Sequence, residues 1–169
     1  MKKRYLTFTF SFIIAAAFAQ TPWLLKDINT GSGSSSPAAF RQLGNQLIFI
    51  ASDTTYGTEL WKTDGTAAGT QIVKDISAGK DSSEIQSLVL LNSDTLIFVV
   101  DDAISGKELW ISNGTSAGTH IIKDIRPGAT GSDPSGLTEM NGEIFFLAND
   151  SINGNEFWKT DGTTAGTVL

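Results

Sequence analysis

Short runs of consecutive apolar residues recur along the chain and are separated by polar segments that contain glycine. Three of these runs, residues 47–51, 96–100 and 144–148, contain almost no polar position. Runs of this length that are rich in Ile, Phe and Val predict β-strands buried on both faces. Because no stretch after residue 19 has the spacing of an amphipathic helix, we predict an all-β fold.

The same motif follows each apolar run. Residues 57–66 read GTELWKTDGT, residues 106–115 read GKELWISNGT and residues 154–163 read GNEFWKTDGT. The three tryptophans lie 49 and 48 residues apart, and a Lys-Asp-Ile triplet at 26–28, 74–76 and 123–125 has spacings of 48 and 49. A period of about 48 residues indicates a modular array of similar units.

Each unit divides into four short strands. The first ends at a hairpin turn such as Asn141-Gly142, the apolar run is the second, and the Glu-Leu-Trp motif lies in the third. The fourth strand is predicted at residues 70–76 and 119–125. Four antiparallel strands in a unit of about 40–50 residues are typical of a β-propeller blade, whereas the alternative of a β-sandwich does not explain the repeat. We predict a propeller-like array of about three blades in a ring that is incomplete.

The repeat also sets the boundaries along the chain. We expect unit 1 at residues 38–84, unit 2 at 85–134 and a truncated unit 3 at 135–169. Residues 20–37 contain an orphan outer strand, predicted at 23–28, and a linker. The strand at 23–28 is our candidate for closing the ring, since terminal strands of propellers often complete the last blade. Because propellers typically have about four to eight blades, we interpret the chain as the N-terminal fragment of a longer protein, with further repeats of the full-length chain as partners.

The first 19 residues have the order of a secretory signal peptide. Lys2, Lys3 and Arg4 precede an apolar stretch, and Ala17-Phe18-Ala19 predicts cleavage after Ala19. A membrane anchor is the alternative, but the apolar run of about 14 residues is short against the ~20 that a span needs. We therefore predict a secreted or cell-surface protein whose mature chain has no transmembrane segment.

Composition narrows the classes of function. The 18 acids outnumber the 12 bases, and three of these bases lie in residues 1–19, so the remainder has a net charge of −9. Such a surface repels nucleic acids and anionic membranes. The chain has no cysteine and one histidine, His120, which disfavours thiol chemistry, cysteine-ligated metals and histidine-dependent triads. We predict a non-enzymatic chain with no catalytic residue, cofactor or metal site.

The repeated motif resembles the ELWxxDGT repeat of bacterial exported proteins that are often labelled hyalin-like. Ala-Gly-Thr at 68–70 and 117–119 and the Lys-Asp-Ile triplets extend the resemblance over residues 21–169, with Asn113 and Phe157 as minor departures. The resemblance implies extracellular or cell-surface proteins with propeller-type arrays, many carried by type IX secretion with a C-terminal sorting domain. It implies no established activity.

We interpret the motif residues as structural. Asp64, Asp161 and Asn113 occupy equivalent turn positions, and the acceptance of asparagine argues against metal ligation or acid–base chemistry. The tryptophans are expected to pack between units, with sugar stacking as the alternative. The full set of predicted motif residues is Glu59, Trp61, Asp64, Gly65, Thr66, Gly69, Glu108, Trp110, Asn113, Gly114, Thr115, Gly118, Glu156, Trp158, Asp161, Gly162, Thr163 and Gly166.

More specific sites have weaker support. Asp101-Asp102 and Asp150 only approximate the spacing of a calcium loop, and no pair of acids stands out for glycoside hydrolysis. His120 is expected to be a surface residue of a strand. Asn113 begins a glycosylation sequon that carries little meaning in a bacterial protein.

Two functions are left open by the sequence. The first is a non-catalytic module for binding or adhesion at the cell surface, with an extracellular glycan or protein as ligand. The alternative is a non-catalytic part of an exported hydrolase whose active domain lies beyond residue 169. We favour the first because every marker repeats, whereas an active site usually breaks the symmetry of a repeat.

Overall fold

The computed structural model describes residues 23–169, which form eleven β-strands and no helix. The strands make three open antiparallel sheets of four, four and three strands, and within each sheet neighbours in the sequence are neighbours in space. The prediction of an all-β chain is therefore confirmed for this part of the protein. Each sheet falls within one predicted unit, so the sheets are named here by their units.

The strand bounds are as follows. Unit 1 contains β1 (Ala38–Leu43), β2 (Gln46–Asp53), β3 (Gly57–Thr63) and β4 (Gln71–Lys74). Unit 2 contains β5 (Gln86–Asn92), β6 (Thr95–Asp102), β7 (Gly106–Ser112) and β8 (His120–Lys123). Unit 3 contains β9 (Ser135–Met140), β10 (Glu143–Asn149) and β11 (Asn155–Thr160).

The three sheets share one register. Phe49 lies opposite Trp61, Phe98 opposite Trp110 and Phe146 opposite Trp158. In unit 3 an isolated bridge joins Lys159 to Val168, at the position where Lys62 pairs with Gln71 in unit 1. From the second strand onward the units are therefore structural copies, and equivalent positions there can be compared directly.

The fourth strands are shorter than predicted. β4 ends at Lys74 and β8 ends at Lys123, two residues before the predicted ends. The backbone N–H of Ile76 donates to the Glu59 carboxylate at 3.1 Å, which takes this amide out of the sheet. The Glu59 carboxylate thus takes the place of a backbone acceptor on β3, and the chain leaves the sheet after Lys74.

The sheets pack on one another through apolar faces. Leu60 and Val73 of unit 1 share a core cluster with Phe98 and Trp110 of unit 2. Leu109 and Ile122 of unit 2 share the next cluster with unit 3. The prediction of second strands buried on both faces is therefore correct for β6 and wrong for β10, because within residues 23–169 only unit 2 has a neighbouring sheet on each face.

The strand predicted at residues 23–28 is not formed. Residues 23–37, called the N-terminal segment below, contain no strand. The Lys26 ammonium nevertheless donates to the carbonyl of Thr70 at 2.7 Å, as Lys74 donates to Thr119. Within residues 23–169 no strand lies beside this segment as β3 lies beside β4, so the segment cannot form a sheet. Its contact with unit 1 nevertheless matches the contact of β4 with unit 2.

The predicted signal peptide, residues 1–19 with cleavage after Ala19, lies outside the described residues. Among residues 23–169 there is no helix of the length and apolarity that crossing a membrane requires.

Replacing Phe98 by alanine tests the packing between units. Phe98 is fully buried at the junction of units 1 and 2, so we expect Phe98→Ala to lower the free energy of unfolding by about 3–5 kcal/mol. Urea unfolding of the variant gives this value. Ile104→Ala, at a residue that is 84% exposed, is the control and should change stability by less than about 0.5 kcal/mol. A loss below about 1 kcal/mol for Phe98→Ala would contradict the assigned interface.

Candidate functional site

The Asp-Gly-Thr turns are held by one repeated set of hydrogen bonds. Asp64 Oδ1 accepts from the backbone N–H of Thr66 at 2.9 Å and from its hydroxyl at 2.7 Å. Asn113 accepts the same two bonds from Thr115, and Asp161 accepts them from Thr163. These bonds lower the pKa of Asp64 and Asp161. The amide oxygen of Asn113 accepts the same two hydrogen bonds as the carboxylate oxygens of Asp64 and Asp161, which explains why unit 2 has an asparagine at this position.

Glycines of the same turns are required by close packing. A Cβ at Gly69, Gly118 or Gly166 would collide with the side chain of Asp64, Asn113 or Asp161 respectively. Gly114 has a φ of 78° and faces Leu43 and Ile48 of unit 1. The turns of units 2 and 3 therefore contact the preceding unit as well as closing their own sheet.

Trp110 and Trp158 are packed between neighbouring sheets, whereas Trp61 lies in a cluster of unit 1 against which Ile28 of the N-terminal segment packs. Trp61, Trp110 and Trp158 are all buried, and the ammonium groups of Lys74 and Lys123 lie 5.9 and 5.8 Å from the ring centroids of Trp110 and Trp158. Each of these lysines belongs to the preceding unit. Such burial leaves no free ring face on which a sugar could stack.

Two motif glutamates are buried, which sequence reasoning did not foresee. Glu59 accepts from the backbone N–H groups of Ile76 and Ser77 and from the hydroxyl of Ser83. Glu108 accepts from the N–H of Arg126 at 3.0 Å and from the hydroxyl of Ser132 at 2.6 Å. Both glutamates have no exposed surface. Each fixes the loop that leads into the next unit.

Burial dominates the acidity of these two groups. Loss of hydration raises the pKa of Glu59 to about 7, against the lowering effect of its hydrogen bonds. The pKa of Glu108 is raised for the same reason. A signal for this pairing exists in the sequence, since a serine follows each glutamate by 24 residues. The third motif glutamate, Glu156, is exposed.

The loop held by Glu108 forms one wall of a polar cleft between units 2 and 3. The cleft has a volume of about 410 Å³. Its lining is polar except at Gly131, and consists of Asp101, Lys107, Arg126, Thr130, Gly131, Ser132, Asp133, Ser135, Asn149 and Asn155. The N–H groups of Ser132 and Asp133 both donate to the carbonyl of Lys107, at 3.0 and 3.1 Å, and attach the loop to β7.

The chemistry of this cleft is not repeated between units 1 and 2. Arg126 stands where unit 1 has Ser77, and Lys107 stands where unit 1 has Thr58. Lys107 pairs with Asp133 at 3.0 Å across an exposed rim. The cleft thus presents cations, carboxylates and the amides of Asn149 and Asn155 within one volume. This combination of donors and acceptors suits a hydrophilic ligand.

The other candidate residues have structural roles. Asp102 and Asp150 accept hydrogen bonds from backbone amides two and three residues later, in the loops between second and third strands. These bonds lower the pKa of Asp150. His120 is exposed at the start of β8. Within residues 23–169 no three His, Asp or Glu side chains are grouped as a metal site.

No protein-family model matches the chain, and no curated protein matches it. The resemblance to ELWxxDGT-repeat proteins therefore rests on the motif residues themselves.

The buried glutamates predict an unusual dependence of stability on pH. The folded chain holds the Glu59 proton more tightly than the unfolded chain, so the free energy of unfolding falls as the pH rises from 4.5 to about 7. We expect this group to contribute a loss of about 1–3 kcal/mol between pH 5 and pH 8. Urea unfolding at both pH values measures it.

Glu59→Gln should flatten this dependence, because the amide keeps a hydrogen-bond acceptor but does not titrate. Glu84→Gln, at an exposed loop position, is the matched control and should leave the dependence unchanged. An equal pH dependence in the wild type and in Glu59→Gln would show that Glu59 is not the responsible group.

Proposed function

We propose that the chain is a non-catalytic extracellular or cell-surface repeat module that binds a glycan or a protein at one end of its sheets. The observation that carries this proposal is the polar cleft between units 2 and 3. It lies where the loop after β8 meets the adjoining ends of β10 and β11. Arg126 and Lys107 in its lining depart from the repeat, while the motif residues keep to it. A scaffold of repeated structural residues with one non-repeated site is what a binding module requires.

The chemistry of the cleft favours a glycan as the ligand. Asn149 and Asn155 offer amide donors and acceptors, Asp101 offers acceptors, and Arg126 offers a planar set of donors. Sugar hydroxyl groups need both kinds of partner at short range, and a carboxylated sugar would add a partner for Arg126. A narrow protein loop with polar side chains is the other ligand of this proposal.

We further propose that the stacked units are consecutive blades of a propeller-like array of the ELWxxDGT kind. The equal register of the sheets and the packing of each turn on the preceding unit support this arrangement. Export is proposed on the pattern of residues 1–19, with cleavage after Ala19.

Binding should depend on the non-repeated residues of the cleft. After a glycan array and pull-down experiments have identified a ligand, calorimetry of Arg126→Ser tests the site by giving unit 2 the residue found in unit 1. We expect affinity to fall at least about tenfold, because the loss of a hydrogen bond from a charged group costs about 1.5–3 kcal/mol.

Lys80→Ser removes an exposed cation outside the cleft and should bind as the wild type does. The proposal fails if neither the array nor the pull-down yields a ligand. It also fails if Arg126→Ser binds with unchanged affinity.

A further inference from the structure

A second cavity lies at the junction of units 1 and 2, where all four strands of each unit are present. Its volume is about 630 Å³, against about 410 Å³ for the polar cleft. One wall comes from the loop after β4, residues 76–82, and the other from the loop between β6 and β7, residues 101–105. Asp101 is the only lining residue that the two cavities share. This cavity, called the junction pocket below, is therefore a separate site.

Both walls of the junction pocket are held by hydrogen bonds. The Glu59 carboxylate accepts from the backbone N–H groups of Ile76 and Ser77, at 3.1 and 3.3 Å, and both of these residues line the pocket. In the opposite wall the Asp102 carboxylate accepts from the N–H of Ile104 at 2.8 Å. The pocket is thus formed by the fold itself, as ligand sites usually are.

Half of the pocket is apolar, unlike the polar cleft. Six of its twelve lining residues are apolar, namely Ile76, Ala78, Ala103, Ile104, Trp110 and Ile121. Trp110 is buried, whereas Ile104 is 84% exposed at the tip of its loop. The indole Nε1 of Trp110 is buried and has no hydrogen-bond partner among residues 23–169. An indole N–H can only donate, so the group that would pair with it is an acceptor such as a carbonyl oxygen.

The charged groups of the pocket all have one sign. Asp81, Asp101 and Asp102 line it, and no lysine or arginine does. Lys74 of the neighbouring β4 is engaged elsewhere, because its ammonium donates to the carbonyl of Thr119 at 2.7 Å. Carboxylates beside a low-dielectric wall attract a cation.

This acidic character is specific to the junction of units 1 and 2. By the 49-residue spacing of the Lys-Asp-Ile triplets, Asp81 stands where the loop of unit 2 has Thr130, and Ser77 stands where it has Arg126. The loop after β4 thus has a carboxylate and no cation where the loop after β8 has a guanidinium. The two junctions are therefore suited to ligands of different charge.

We propose that the junction pocket binds a protein segment that presents a lysine or arginine between apolar side chains. The aliphatic stem of the basic residue lies against Trp110 and its charged end pairs with Asp81 and Asp102. A main-chain carbonyl of the segment accepts from the Trp110 indole, and an apolar neighbour packs on Ile104. A glycan fits less well, because it offers no apolar side chain for Ile104. The site does not depend on the ligand of the polar cleft.

Calorimetry with defined peptides tests the pocket. The probe is the acetylated and amidated peptide Ala-Leu-Lys-Leu-Ala, and its matched controls have norleucine or glutamate in place of lysine. We expect the lysine peptide to bind at least about tenfold more tightly than the norleucine peptide, and its affinity to fall with added salt. Equal affinity of these two peptides, or no binding of the lysine peptide at about 1 mM, would overturn the proposal.

Variants of the pocket locate the binding. Asp81→Asn and Asp102→Asn should each weaken binding of the lysine peptide about threefold, and together at least about tenfold, since an exposed ion pair contributes up to about 1 kcal/mol. Asp94→Asn, at an exposed carboxylate in the turn between β5 and β6, is the control. Ile104→Ser should also weaken binding, whereas Ile152→Ser should not, although Ile152 is 85% exposed at the equivalent position of unit 3.

Arg126→Ser separates this site from the polar cleft. This variant changes the cleft, so we expect it to bind the lysine peptide as the wild type does. A peptide that binds Asp81→Asn/Asp102→Asn normally but fails to bind Arg126→Ser would lie in the cleft, and the proposal would be wrong. A glycan whose binding is lost in Asp81→Asn/Asp102→Asn would contradict it as well, because the pocket would then take a different class of ligand.

Discussion

The structure depends on the packing of sheets that are apolar on both faces. A four-stranded sheet of this kind cannot be stable in water by itself, because one face or the other stays hydrated. Unit 2 resolves this by lying between units 1 and 3, which bury all five residues from Leu96 to Val100. Within residues 23–169 units 1 and 3 each have a neighbouring sheet on one face only. Phe40 and Phe157, on their other faces, are exposed. Stability in such an array is a sum over interfaces rather than the property of one core.

The buried glutamates connect this packing to the candidate site. A carboxylate in an apolar junction is costly unless it is protonated or surrounded by donors, and Glu59 and Glu108 have such donors from the loop that follows the fourth strand. If such a loop moved away, its glutamate would lose these hydrogen-bond donors while still buried, which is costly. The hydrogen bonds therefore hold each loop in place. The loop fixed by Glu108 in turn forms one wall of the polar cleft. A repeated structural contact therefore positions a site in which Arg126 and Lys107 depart from the repeat.

Much of the fold could be predicted from the sequence because its signals are local and occur in several copies. The apolar runs, the hairpin at Asn141-Gly142 and the Trp spacing predicted where the units lie, and β9 ends directly before that predicted turn. The error at residues 23–28 has a physical cause. An apolar segment forms a strand only if another strand lies beside it, and sequence periodicity does not reveal whether that partner is present.

The candidate site was harder to predict for a different reason. Glu59 was recognised as a motif residue, but its burial follows from a contact with Ser83, 24 residues away. The cleft depends on Arg126 and Lys107, which stand out only when equivalent positions of two units are compared. Departures from a repeat carry the information about function, whereas a search for motifs selects the positions that stay the same.

Amide hydrogen exchange, followed residue by residue at a concentration where the protein is monomeric, tests the central claim most directly. If stability comes from the interfaces between units, amides of β6 and β7 should exchange most slowly, since unit 2 is covered on both faces. Those of β10 and β11 should exchange distinctly faster. Equal protection in all three sheets, or slowest exchange in unit 3, would contradict the account, because it would mean that each sheet is stable without its neighbours.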